Sequence, residues 1–90
     1  MLVLVTYDIS DDKRRNRVSE LLEGYGIRVN FSVFECVLTQ EKLDKLTREI
    51  QNLISKMDSV RFYYICQNCI KKSFYIGKEI EAVMDDDFFI

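Results

Sequence analysis

The 90-residue sequence predicts an α+β domain in which two amphipathic helices cover one face of an antiparallel sheet. Three observations point there. Apolar residues recur at helical spacing in two separate segments, β-rich runs precede, separate and follow them, and no proline, linker or repeat divides the chain. In chain order the elements read β-α-β-α-β-β. Splitting the long middle run with a turn gives β-α-β-β-α-β plus one extra strand, the ferredoxin-like plan.

Each element has its own signal. Leu2 to Thr6 is short and β-rich, a strand ending near Asp8. A helix follows from about Asp12, because Val18, Leu21, Leu22 and Tyr25 repeat at i, i+3, i+4 and i+7, with Gly24 and Gly26 as its stop. Residues 28 to 38, RVNFSVFECVL, alternate Val, Phe and Ser as strands do; Asn30 and Ser32 are the only turn-type residues at which that run can be split. Leu43, Leu46, Ile50, Leu53 and Met57 then predict a second helix of about five turns, with Thr39 as N-cap and Glu41 in its first turn. VRFYYIC, Val60 to Cys66, is the next β-rich run, and KSFYI, Lys72 to Ile76, predicts an additional C-terminal strand. Domain 1–78 is thus followed by a separate tail, 79–90.

Two helices cover one face of such a sheet and leave the other. Yet Leu2 and Leu4 alternate with Val3 and Val5, and Val29, Phe31 and Val33 with Phe34, Cys36 and Leu38, so both faces are apolar. A sheet with one wet face alternates apolar with polar, so the second face is expected to be buried in a partner, most simply a symmetric homodimer.

Composition removes several chemistries. With no histidine, Ser-His-Asp and Cys-His hydrolysis, histidine-based ribonuclease chemistry and the usual zinc hydrolases are all excluded. Phosphodiester chemistry must then rest on carboxylates with a hard metal, or on Arg, Lys and Tyr. Three cysteines, an odd number, argue against a disulfide framework and fit a reducing compartment. Cys66 and Cys69 have CxxC spacing, but too few further ligands exist for structural zinc, and Ile70, Lys71 and Lys72 lead toward the expected strand, so both read as packing thiols. No apolar run approaches the roughly 20 residues of a membrane span, and no basic leader precedes the first strand, so the expected compartment is the cytoplasm. The net charge of -2 conceals an asymmetry. All 13 Lys and Arg lie in residues 1–78, whereas Glu79, Glu81, Asp85, Asp86 and Asp87 crowd the tail, leaving a basic domain compatible with a nucleic-acid partner.

The segment TYDISDDKRRNR concentrates the candidate chemistry. Asp8 ends an apolar strand, where a carboxylate serves as a turn former or as a ligand at the sheet margin. Ser10, Asp11 and Asp12 suit the cap and first turn of the helix. Arg14, Arg15 and Arg17 fan around the Asp8 end, a placement that suits phosphate binding by planar bidentate donors and equally suits a solvated basic face paired to nearby acids. Phe62, Tyr63 and Tyr64 offer either base-stacking rings or core and interface aromatics. The tail, DDDFFI, ends in three large apolar residues and is expected to dock on a partner.

Taken together, the YDISDD end of the first strand, RRNR opening the helix, its glycine-punctuated end, SVFEC and the late VRFYYIC resemble the small CRISPR-associated endonuclease family, the second core spacer-acquisition protein and partner of the CRISPR integrase. The likeness spans nearly the whole chain and departs at Asn30, where members usually carry Gln. It implies a homodimer with sheets packed face to face and a Mg²⁺-dependent endonuclease, with Mn²⁺ as an alternative, acting on RNA or duplex DNA. It further implies Asp8 as catalytic metal ligand with Tyr7 beside it, Phe34 as a site-lining aromatic, and Arg15, Arg17 and Arg28 as phosphate contacts. A second function, of a different class, is a non-catalytic DNA-binding scaffold bridging integrase subunits, in which Arg14, Arg15, Arg17, Lys71, Lys72 and Lys78 act through phosphate charge.

Overall fold

The structure, a computed structural model, describes residues 1–78. The chain runs β1 (Leu2–Asp8), α1 (Asp12–Glu23), β2 (Gly26–Asn30), β3 (Val33–Val37), α2 (Gln40–Leu53), β4 (Ser59–Ile65) and α3 (Gln67–Lys72). The four strands form one sheet in the order β2-β3-β1-β4, every neighbouring pair antiparallel. This is the ferredoxin-like arrangement expected once the middle run is split.

The split falls at Phe31 and Ser32. The Asn30 side chain accepts a hydrogen bond from the Phe31 amide at 2.8 Å, and a bulge between Arg28 and Asn30 takes up the register change. Phe31, assigned by alternation to a sheet face, is instead at the hairpin tip and 90% exposed. The close approach of β2 to β3 depends on Gly26: a Cβ there would lie 2.3 Å from the Glu35 carbonyl oxygen and 2.6 Å from the Cys36 sulfur. Gly26 therefore starts a strand, while Gly24 alone caps the helix, in ordinary right-handed conformation.

Both helices cover the same face. Val18 and Leu22 of α1 and Leu43, Leu46 and Ile50 of α2 join Val3, Val5, Tyr7, Phe34 and Cys36 of the sheet in one core. Asp11 caps α1 by accepting from the Arg14 amide at 2.9 Å, and Thr39 caps α2 by accepting from Lys42 at 3.2 Å. The second helix is shorter than its apolar pattern predicts. It stops at Leu53 because Ile54 turns to extended backbone and the Ser55 amide donates to the Asp58 carboxylate at 2.9 Å, which leaves Met57 out of the helix and exposed.

The additional C-terminal strand over Lys72 to Ile76 is a correction. That segment begins in the last residue of α3 and continues without strand pairing among the described residues, with Phe74, Tyr75 and Ile76 exposed. A strand needs a neighbour for its backbone donors and acceptors, and the described part of this chain supplies none. The expected docking of the tail concerns residues 79–90, which lie outside the described residues.

The other sheet face carries Leu2, Leu4, Thr6 and Asp8 of β1. Cross-strand register sets Val37, Leu2 and Ile65 in one row, Ile27, Glu35, Leu4 and Tyr63 in the next, then Val33, Thr6 and Arg61, with Asp8 opposite Ser59 at the margin. Neither α1 nor α2 covers these rows, since both pack on the opposite side.

Candidate nucleic-acid interface

Asp8 is the last residue of β1, exposed, and on the sheet face away from the helices. Its neighbour Tyr7 faces the other way into the core, 6% exposed, where its hydroxyl donates to the Phe31 carbonyl at 3.3 Å and its ring stacks on Phe34 with centroids 6.4 Å apart. Phe34 is fully buried, so it does not line an open surface as the resemblance implied. It supports what does: the Arg28 guanidinium lies over its ring, 5.0 Å from the centroid. Arg28 also donates to the Phe31 carbonyl at 2.5 Å and to the Ser19 hydroxyl, and pairs with Glu23 at 3.5 Å. Tyr7 and Arg28 therefore meet at one carbonyl and fix the hairpin tip relative to β1.

The arginines opening α1 have separate fates. Arg14 grips Asp58 with two donors, Nε at 2.8 Å and Nη2 at 3.2 Å. That hydrogen bond, backed by the Ser55 amide, holds the Asp58 carboxyl below its ordinary pKa, and the same contact raises Arg14. The Asp58 side chain is 1% exposed, so Arg14 closes the structure at the start of β4, in place of the phosphate contact expected of it. Arg15 folds back over the β1–α1 loop, donating to the Ile9 and Ser10 carbonyls at 3.2 and 3.3 Å and pairing with Asp12 at 2.5 Å. Its charge is thereby held on the two residues that follow Asp8. Arg17 is exposed and makes no ion pair among the described residues.

Several participants had no sequence signal. Asp58 and Ser19 become partners of Arg14 and Arg28 only through folding. Glu35, inside SVFEC, stands on the same sheet face as Asp8, and partial burial pushes its carboxyl pKa up. On β4, Arg61 donates to the Tyr63 hydroxyl at 3.2 Å, and Tyr63 and Tyr64 are exposed where Phe62 packs against the core. The expectation of packing for the cysteine pair is also corrected: Cys36 is buried, but Cys66 and Cys69 are exposed at the start of α3.

Among the described residues, no three His, Cys, Asp or Glu side chains gather as a metal site. Asp8 provides one oxygen-donor group per chain, a set that fits a hydrated hard cation once a second chain supplies another carboxylate. Among the described residues, too, no helix is long and apolar enough to cross a membrane.

Comparison with known proteins agrees with this architecture. The CRISPR-associated endoribonuclease Cas2 3 of Synechocystis is 48% identical over 63 residues, covering 69% of this chain and 68% of that protein. A crystal structure of Streptococcus pyogenes Cas2 superposes with a TM-score of 0.75 at 35% identity, covering 86% of this chain and all of the other. A chain in a partial Cas6–RT–Cas1–Cas2 complex superposes with a TM-score of 0.77 at 33% identity, covering 93% of this chain and 94% of its own. Residues 1–73 match the family described as CRISPR associated protein Cas2, and the chain belongs to that family.

Proposed function

We propose that this protein is a metal-dependent endonuclease of RNA or duplex DNA that acts in CRISPR spacer acquisition, as a homodimer in the cytoplasm and together with the CRISPR integrase. The observation that carries the reading is Asp8, an exposed carboxylate at the end of a largely buried strand, with Arg15 anchored by two carbonyls on the loop directly after it. The endoribonuclease name of the Synechocystis relative supports nucleic-acid hydrolysis, and the Cas1–Cas2 assembly supports the integrase partner.

In this reading the open sheet faces of two chains pack together and bring two copies of Asp8 near one two-fold axis. Two facing carboxylates repel, which favours a shared cation or proton between them. Mg²⁺ or Mn²⁺ held by the pair would polarise the phosphate and make a bound water more acidic. The protein's own groups do the rest. Arg15 and Arg17 offset the phosphodiester charge, Arg28 steadies the hairpin tip and adds its own positive charge, and Tyr7 and Phe34 keep β1 and β3 in fixed relation beneath it.

A second reading has its own support in the sparse donor set, since no three ligating side chains gather among the described residues: the dimer holds duplex DNA on its basic surface and bridges integrase subunits without hydrolysis. Asp8→Asn separates the two. In rigorously purified protein with Mg²⁺, cleavage of RNA or duplex DNA should fall about a hundredfold or more, since even groups that only orient a metal ligand are worth about 10- to 100-fold. Equal cleavage by both proteins removes Asp8 from catalysis. Cleavage absent from wild type, with integration intact in the variant, establishes the scaffold.

A further inference from the structure

We infer that Cys66 and Cys69 form a redox-active dithiol that closes to an internal disulfide by exchange with a low-molecular-weight disulfide. Their sulfur atoms lie 3.1 Å apart, and both side chains are exposed, so a small disulfide reaches them from solvent. Cys66 directly follows the last residue of β4, and Cys69 lies in the first turn of α3. Side chains three residues apart across such a turn share one side, and sulfurs at 3.1 Å have only about 1 Å to close to reach the disulfide bond length of about 2.05 Å. Among the described residues no other side chain is hydrogen-bonded to either sulfur, so closing the bridge displaces no third side chain.

The two thiols are not equivalent. Hydrogen bonding from Cys69, and then from backbone amides of the turn, favours the Cys66 thiolate and lowers its pKa, while the same pairing raises that of Cys69. Cys66 is thus the attacking sulfur. It displaces one half of the small disulfide as a thiolate and forms a mixed disulfide with the other half. Cys69 gives its proton to the displaced thiolate and attacks the Cys66 sulfur, closing the internal bond and releasing the second half as a thiolate, which takes a proton from water. Two protein thiols and one small disulfide become one protein disulfide and two small thiols, so electrons and protons balance. Cys36 stays out of this exchange: it is buried, and burial followed by the nearby Glu35 charge pushes its pKa up to about 11.

The position gives the bond a consequence. Ile70, 3% exposed, anchors α3, and the exposed Phe74, Tyr75 and Ile76 follow it. A bridge from the end of β4 to the first turn of α3 fixes the direction in which the chain leaves the sheet toward those residues. The chemistry does not depend on nuclease activity.

The test uses the full chain, reduced and then equilibrated with oxidised glutathione, quenched with acid, alkylated under denaturing conditions and weighed by mass spectrometry. Wild type should retain one alkylated thiol, Cys36, with the internal disulfide in roughly tenfold or greater excess over glutathione adducts, as an intramolecular partner at high effective concentration requires. Cys69→Ser should trap the glutathione adduct on Cys66. Cys66→Ser should react more slowly, reading the difference between the two sulfurs without relying on closure. Wild type that accumulates stable adducts at either cysteine, or that links two chains through them, overturns the inference.

Discussion

Asp58 shows how much one carboxylate can decide. It receives both donors of Arg14 and the Ser55 amide, and so joins the start of α1 to the turn before β4 across 44 positions of sequence. Its folded pKa lies below its ordinary value of 3.8, so the stability it contributes is fully present above that pH and is lost as pH falls through the folded pKa. Asp58→Asn should therefore lower the melting temperature at pH 7 and flatten the decline of stability below about pH 4. Thermal melts of both proteins from pH 7 down to pH 3 provide the check, and superimposable curves would show that the pairing contributes nothing to folding. The same geometry explains why Arg14 differs in role from Arg15 and Arg17 despite lying in one basic run: only Arg14 meets a buried acid. Spacing along the helix could not reveal that, because Asp58 has no periodic relation to it.

Among the elements, the β2–β3 hairpin is the one on which the candidate site leans. Its tip receives Tyr7 and Arg28, and its close pairing needs a residue without a side chain at position 26. Gly26→Ala would set a methyl against backbone of β3, which cannot give way as a flexible side chain would, so a loss of about 2–3 kcal/mol is expected, read as a lower urea midpoint. An unchanged midpoint would mean that β2 and β3 can separate at no cost. The two helices were legible because amphipathic periodicity is local, and the hairpin was legible from Asn30 and Ser32, the turn-type residues that flank and form its tip. The end of α2 and the existence of α3 were not. Met57 continues the apolar spacing, yet the turn held by Asp58 ends the helix before it. KSFYI has strand composition, but composition supplies no neighbouring strand.

For the whole molecule, the consequential feature is the sheet face that α1 and α2 leave uncovered. Val37 is 42% and Tyr63 46% exposed there, alongside partly buried Leu4, Val33 and Ile65. If a second copy covers this face, Leu4→Lys should give monomers at micromolar concentration by sedimentation while the secondary structure by circular dichroism is retained, because burying an unpaired charge at the interface costs several kcal/mol. A wild type that sediments as a monomer throughout would remove the homodimer, and with it the pairing of two Asp8 carboxylates. The same measurement addresses the tail. Truncation before Asp85 should weaken dimerisation or integrase binding, and unchanged behaviour in both would exclude its docking.

The sequence by itself determined the layers of this protein. Period-two and period-3.6 patterning, cap residues such as Thr39 and Asp11, and the absence of histidine are local or compositional properties, and they sufficed for the ferredoxin-like plan and narrowed the expected chemistry to carboxylates and arginines. Only the tertiary structure decided which charged groups remain available. Packing takes Phe34 into the core, gives Arg14 to Asp58, sets Arg28 over an aromatic ring and leaves Asp8 and Arg17 exposed. It also brought the two thiols of the CxxC pair to solvent. The physical reason is the same throughout. Patterning records which face of an element turns inward, but the partner a side chain meets depends on strand order and register, which join residues far apart in the chain.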